Sequence, residues 1–231
     1  MTEQIRNEVK EEIAWGRLGK FMIRIGQLDK AEMLYNTLVD QTCSKGEKAR
    51  YHMNLVVLKA RQADHERAIG YCKQGVEVLK ETLPSNSLIL SVCYNNAGAV
   101  DYSLGNYNDA LLCYEESLTV KKEQLPPNDE FLATTYNSIG VLHHHMKNYS
   151  KALTSFEMSL SIRVENLPSN HPDLATSYMH SGVVYKDMKE FKWALPFYYK
   201  ALDIMQKTLH PYDLDLAPCY NNTGGLYDEI K

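Results

Sequence analysis

One register recurs along this chain and limits its fold more than any other feature. Cys93-Tyr94-Asn95-Asn96-Ala97-Gly98 aligns with Thr135-Tyr136-Asn137-Ser138-Ile139-Gly140, with Ser177-Tyr178-Met179-His180-Ser181-Gly182 and with Cys219-Tyr220-Asn221-Asn222-Thr223-Gly224, each copy 42 residues after the last. At the same offset Ala68, Ala110, Ala152 and Ala194 follow Val56, Gly98, Gly140 and Gly182 by 12 residues, and a third column holds Cys72, Tyr114, Phe156 and Tyr198. An earlier, shorter copy keeps the spacing with Trp15, Leu18, Gly19, Ala31 and Tyr35, but its Gly19 precedes Val56 by 37 residues. A period of this length marks supersecondary units that bury their apolar faces only by stacking on one another.

Within one unit the apolar spacing is helical. Leu132, Ala133, Tyr136, Ile139, Gly140 and His143 recur at three- and four-residue steps, and Ala152, Leu153, Phe156, Leu160 and Val164 do so on a second segment. Each unit therefore reads as a helical hairpin whose Gly and Ala columns allow close approach and whose bulky column fills the space beside them. Pro84, Pro126 and Pro168 end the second helices, while Ser87, Asp129, His171 and Asp213 stand at helix starts, with Pro172 at a first helical position. The pattern predicts helices at 88–104, 107–124, 130–146, 149–166, 172–188 and 191–209, and no strands. In the second copy Val56, Lys59, Ala63 and Gly75 depart from the pattern, so that hairpin is expected to pack less tightly or to bend the array.

Composition narrows the class. The charge of −4 carries no basic stripe, which disfavours nucleic acid. No apolar run approaches membrane-span length and Met1 to Lys10 is polar, so no membrane association is expected and the chain reads as cytoplasmic. Cys43, Cys72, Cys93, Cys113 and Cys219 are odd in number and lack C-x-x-C spacing, and read as reduced packing residues. Tyr occurs 16 times against five Phe and two Trp because it fills two of the repeating columns.

Tyr or Trp, Gly four residues on, Ala 12 later, a bulky residue four after that and a terminating Pro resemble the tetratricopeptide repeat, from residue 12 to residue 231. The 42-residue unit, with Tyr-Asn-Asn-x-Gly and the linker Leu167 to Ala175, resembles the subclass found in kinesin light chains. The resemblance implies an all-α, right-handed superhelical array of antiparallel helix hairpins, an α-solenoid. Its divisions would be a lead-in at 1–11, a divergent first repeat at 12–48, repeats at 49–90, 91–132, 133–174 and 175–216, and at 217–231 either a capping helix or the first helix of an incomplete sixth repeat.

The resemblance also implies a noncatalytic scaffold that binds an extended peptide segment of a protein partner on a concave face lined by first helices. The expected groove residues are Asn95 and Tyr102, Asn137, Val141 and His144, Met179, Val183 and Lys186, and Asn221. Asn95, Asn137 and Asn221 each carry a donor and an acceptor suited to a peptide's main chain, with helix-backbone or solvent contacts as the alternative. A carboxylate clamp is disfavoured because Lys186 is the sole cation in the set. The divergent first copy also resembles the segment preceding such arrays in arginine-specific ADP-ribosyltransferases, so a regulatory part of a larger enzyme is a second reading. Self-association of an otherwise monomeric chain through the terminal repeat is a third.

Other constellations carry less. Adjacent helical residues point about 100° apart, so His143-His144-His145 cannot chelate one ion. His144 with His180 is the remaining pair, and neither metal nor cofactor is expected. Gly16-Arg17-Leu18-Gly19-Lys20 is too short for a phosphate loop and has Phe21 where Ser or Thr would meet magnesium. No base accompanies Cys93 or Cys219 to make a nucleophile, so catalytic residues are expected to be absent.

Overall fold

The computed structural model describes residues 15–82, 84, 87–208, 213 and 216–230. The lead-in at 1–11 and the start of the first copy lie outside these residues. The described chain consists of α1 (15–24), α2 (Leu28–Gln41), α3 (Lys45–Arg61), α4 (His65–Thr82), α5 (Leu88–Ser103), α6 (Tyr107–Gln124), α7 (Glu130–His145), α8 (Tyr149–Asn166), α9 (Pro172–Asp187), α10 (Phe191–Thr208) and α11 (Ala217–Ile230). The six helices expected from periodicity start at the expected residues and end within one residue of them. The fold is all-α, built of consecutive helix pairs, and no strand occurs among the described residues. Two compact units divide at residues 120 and 121.

In the first unit the pairs are α1–α2, α3–α4 and α5–α6. Gly19 faces the ring of Tyr35, and a Cβ built on Gly19 would collide with a ring carbon. Gly98 faces Tyr114 in the same way, at 2.9 Å, with the Ala110 carbonyl 3.1 Å away. The Tyr35 hydroxyl donates to the Gly16 carbonyl at 3.2 Å, which ties the shorter first pair together.

The second hairpin reaches the same closeness by another route. Val56 and Cys72 are both 2% exposed and pack with Ala68 and Val100, so a larger residue on the first helix meets a smaller one on the second. The pair is therefore tightly packed, not loosened as its departures suggested. Lys59, 3% exposed, is also accommodated: its ammonium lies 2.7 Å from Glu32 Oε1, 2.9 Å from Gln62 Oε1 and 3.7 Å from Asp64 Oδ2. A buried cation is tolerated when its donors are satisfied in this way.

In the second unit α7 pairs with α8 and α9 with α10, while α11 packs on α10 and α9. Gly140 sits on Phe156 with a virtual Cβ at 2.6 Å, and Gly182 on Tyr198 at 2.8 Å. Ala152, Ala194, Phe156 and Tyr198 are at most 1% exposed. Val164, assigned by its spacing to the buried stripe of α8, is 54% exposed because it lies in the last turn, beyond the crossing.

Capping differs from the expectation in one respect. The Asp129 carboxylate accepts from the Phe131 amide at 2.9 Å and His171 Nδ1 accepts from the Asp173 amide at 3.2 Å, but Ser87 makes no side-chain cap bond. The turns inside the hairpins share one backbone solution: Gly26, Ala63, Gly105, Lys147 and Lys189 all have φ between 57° and 79°. Three of these five lack glycine, so the turn is imposed by the helix pairing on either side of it.

The Gly-to-ring contact generates a paired prediction. Gly140→Ala should lose about 1–3 kcal/mol through overpacking against Phe156. Replacing both residues by the natural combination of the second hairpin, Gly140→Val with Phe156→Cys, should restore most of it, as read by urea unfolding.

Candidate functional site

The expected groove residues fall on one face of each first helix. On α5, Asn95 and Tyr102 are half-buried; on α7, so are Asn137, Val141 and His144; on α9, Met179, Val183 and Lys186; on α11, Asn221 is exposed. The same spacing that buries Gly and Leu on one side of these helices turns this row outward. The apolar members are anchored rather than free: Val141 packs on Ala152, Phe156 and Val184, Met179 on the cluster of Leu174, Ala175 and Ile204, and Val183 on Ala194 and Tyr198.

Polar members of the second unit are joined between first helices. Asn137 Oδ1 lies 2.9 Å from His180 Nδ1, His144 Nε2 lies 2.7 Å from Asp187 Oδ2, and the Lys186 ammonium donates to Asn222 Oδ1 at 2.9 Å. These three contacts run from α7 to α9 and from α9 to α11. His180 is therefore paired with Asn137 instead of sharing an ion with His144. Among the described residues no three His, Cys, Asp or Glu side chains are grouped to hold a metal.

His180 is the most perturbed side chain of this face. Burial, then the neighbouring charges of Arg163 and His144, push its pKa from the usual 6.5 down to about 4. The ring is neutral at pH 7, so its Nδ1–H donates to the Asn137 carbonyl oxygen. It also lies 5.2 Å from the ring of Phe156, which joins the outward face to the hairpin crossing beneath it.

Under the groove row lies a second polar feature, which the sequence reading missed. The Lys121 ammonium, on a residue 5% exposed, donates to Thr135 Oγ1 at 2.6 Å and to the Phe131 carbonyl at 3.3 Å. One period later Arg163, 6% exposed, donates through Nη1 to Ser177 Oγ at 2.8 Å and to the Asp173 carbonyl at 3.2 Å, and through Nε to Glu130 at 3.2 Å. The columns covary: Leu79 shares a core cluster with Cys93, and Met205 packs on the cluster containing Cys219. A cation on the second helix thus meets a hydroxyl on the next first helix, whereas an apolar side chain meets a thiol. The small column at Cys93, Thr135, Ser177 and Cys219 was legible in the sequence, and its second-helix partner 14 residues earlier was the available signal.

The remaining candidates fall where packing puts them. Gly16 to Lys20 is helical within α1, with Gly19 consumed by the Tyr35 contact. Cys72, Cys93 and Cys219 are buried and Cys113 is half-buried, while Cys43 is exposed and is not a packing residue. Burial pushes the Cys72 and Cys93 thiols up to about 12, which suits packing and opposes nucleophilic use. No helix of the described residues is long and apolar enough to cross a membrane.

Hairpins of recurring length, stacked through shared columns within each unit, define a helical repeat protein, a fold consistent with a protein-interaction scaffold. The family model described as tetratricopeptide repeat matches residues 47–123 and 131–207, and the chain belongs to that family. No curated protein matches the sequence. The structure is similar to that of BtubC (BKLC) from P. vanneervenii, with TM-score 0.78 and 20% identity over 91% of this chain and 89% of that one. It is also similar to a putative kinesin light chain with nearly identical TPR-like repeats from Podosopora anserina, with TM-score 0.73 and 15% identity over 85% of this chain and 96% of that one. A third likeness, to the STAND protein PH0952 of Pyrococcus horikoshii with its tetratricopeptide repeat sensor, has TM-score 0.81 and 17% identity over 95% of this chain and 33% of that one. The tetratricopeptide repeat fold is common to this chain and these neighbours, two of which are kinesin-light-chain-like.

Two measurements check the site's energetics. Arg163→Met should cost about 1–3 kcal/mol by leaving Glu130 and the Asp173 carbonyl short of a donor, and adding Ser177→Cys, which copies the Met205 and Cys219 combination, should recover much of that in urea unfolding. For His180 the unfolded chain takes up a proton near pH 6.5 that the folded protein refuses until about pH 4. Stability should therefore be flat above pH 7 and fall by up to about 3 kcal/mol as pH drops from 6.5 to 4. His180→Asn should flatten that slope in a pH series of unfolding curves.

Proposed function

We propose that this chain is a noncatalytic scaffold that binds an extended peptide segment of a protein partner along the outward faces of its first helices. The supporting observation is the row on α7 and α9, where Asn137, Val141 and His144 stand beside Met179, Val183 and Lys186, the apolar members packed on the core and the polar ones paired between helices. A row already held in place loses little side-chain entropy on contact, which favours binding. The Asn137 oxygen is paired with His180, which leaves its NH2 group to meet a carbonyl of a main chain in extended form, while the apolar positions beside it meet side chains. The pairing of Lys186 with Asn222 and of His144 with Asp187 leaves the row without an uncommitted positive cluster, so the favoured segment is neutral and carries small or aromatic side chains.

The test is a peptide array probed with the full chain and with the Asn95→Ala/Asn137→Ala double variant, each checked for unchanged thermal unfolding. Each main-chain grip removed should cost about 1 kcal/mol, or roughly fivefold in affinity. Equal capture of the same peptides by both proteins would rule out the amide contacts.

A further inference from the structure

The first unit contains a cleft of about 280 Å³ between α4 and α6, with α5 as its floor. Ile69, Cys72 and Val76 form one wall, Cys113 the other, and Tyr94, Ala97 and Asp101 the floor. Lys80 stands at the rim with its ammonium 5.6 Å from the centroid of the Tyr94 ring. This side of α5 differs from the side that carries Asn95 and Tyr102, so the cleft is independent of the peptide reading above.

The internal repeat explains the empty volume. Two periods later in the chain, the positions of Cys113 and Asp101 are taken by Phe197 and Tyr185. In the second unit those rings fill the space: Tyr185 stacks on Phe197 at 5.4 Å and Tyr178 lies 6.4 Å from Phe197. The first unit keeps the surrounding frame, with Tyr94 where the second has Tyr178 and Ile69 and Val76 where it has Leu153 and Leu160, but two rings have become a thiol and a carboxylate. The vacancy is ring-shaped because its frame is one that elsewhere in this chain closes on rings. An apolar cavity of roughly 150 Å³ already accepts benzene, so the space suffices for a six-membered ring.

The polar content of the cleft selects among rings. Asp101 replaces Tyr185, and so puts a hydrogen-bond acceptor where the second unit has a phenol. Tyr94 and the two thiols supply polarizable surface to a ring face. The Asp101 carboxylate already accepts from the Asn106 side chain, and a phenol satisfies the apolar walls while adding a second donor to it, whereas a plain phenyl group adds none.

We propose that this cleft receives the tyrosine side chain of a partner polypeptide, with the ring between Cys72 and Cys113 and the hydroxyl donating to Asp101. The experiment titrates the full chain with p-cresol, toluene and N-acetyl-tyrosine-N-methylamide while following backbone amide NMR signals. p-Cresol and the tyrosine amide should shift Cys72, Ala97 and Asp101 saturably and compete with each other. Toluene should bind more weakly, and Cys113→Phe and Asp101→Tyr, which each return a ring of the second unit, should weaken p-cresol by at least about tenfold. Thermal unfolding of both variants verifies that they fold, and either one suffices for the comparison. Absence of shifts, shifts undiminished in the folded variants, toluene binding as tightly as p-cresol, or failure of the tyrosine amide to displace p-cresol would each overturn the proposal, the last in favour of a free small aromatic molecule.

Discussion

The contact on which the hairpins depend is a first-helix residue without side-chain bulk lying against a ring of the second helix. Gly19, Gly98, Gly140 and Gly182 each place their backbone where a Cβ would stand within 3 Å of Tyr35, Tyr114, Phe156 or Tyr198. Interiors packed at this density respond to a single methyl group, so the distance between the two helices of a pair is set at this point and other columns adjust to it. Val56 with Cys72 shows that the requirement is on the summed volume rather than on glycine as such.

Polar side chains perform a second task at the joints between hairpins. Lys59, Lys121 and Arg163 are buried charges, and each has its donors directed at groups of a neighbouring helix. Such contacts are directional, so they favour one register between successive hairpins where apolar packing alone would tolerate several. In the second unit the outward row has a related duty, because Asn137, His144 and Lys186 hold the next first helix while remaining partly open to solvent. This outward row is thereby also held by its own helices, and the half-buried neutral ring of His180 links it to the crossing at Phe156.

Much of this was legible before any coordinate. Helix starts and ends followed from Pro punctuation and 3.6-residue spacing, because those signals act within a few residues along the chain. His171 is the exception at the caps: it replaces a commoner capping residue and still accepts from the Asp173 amide, while the apparently suitable Ser87 does not. The expected groove residues share one side of each first helix, as their spacing implies, yet their internal pairing was not foreseen. Asn137 meets His180 and His144 meets Asp187 one residue off the repeat period, and only the rotation between stacked helices brings an offset pair into contact.

The sequence by itself determined the helical class, the length of each hairpin and the columns that pack, since each of these depends on spacing along one helix or on a short turn. Tertiary structure alone decided which buried cation meets which hydroxyl, that Val56 and Cys72 compensate one another, and that a ring-sized space stays open between α4 and α6. The physical reason is that these outcomes belong to pairs and triplets of columns carried on different helices. Each residue in them is unexceptional by itself, and its consequence appears only when the helices are brought to within van der Waals distance.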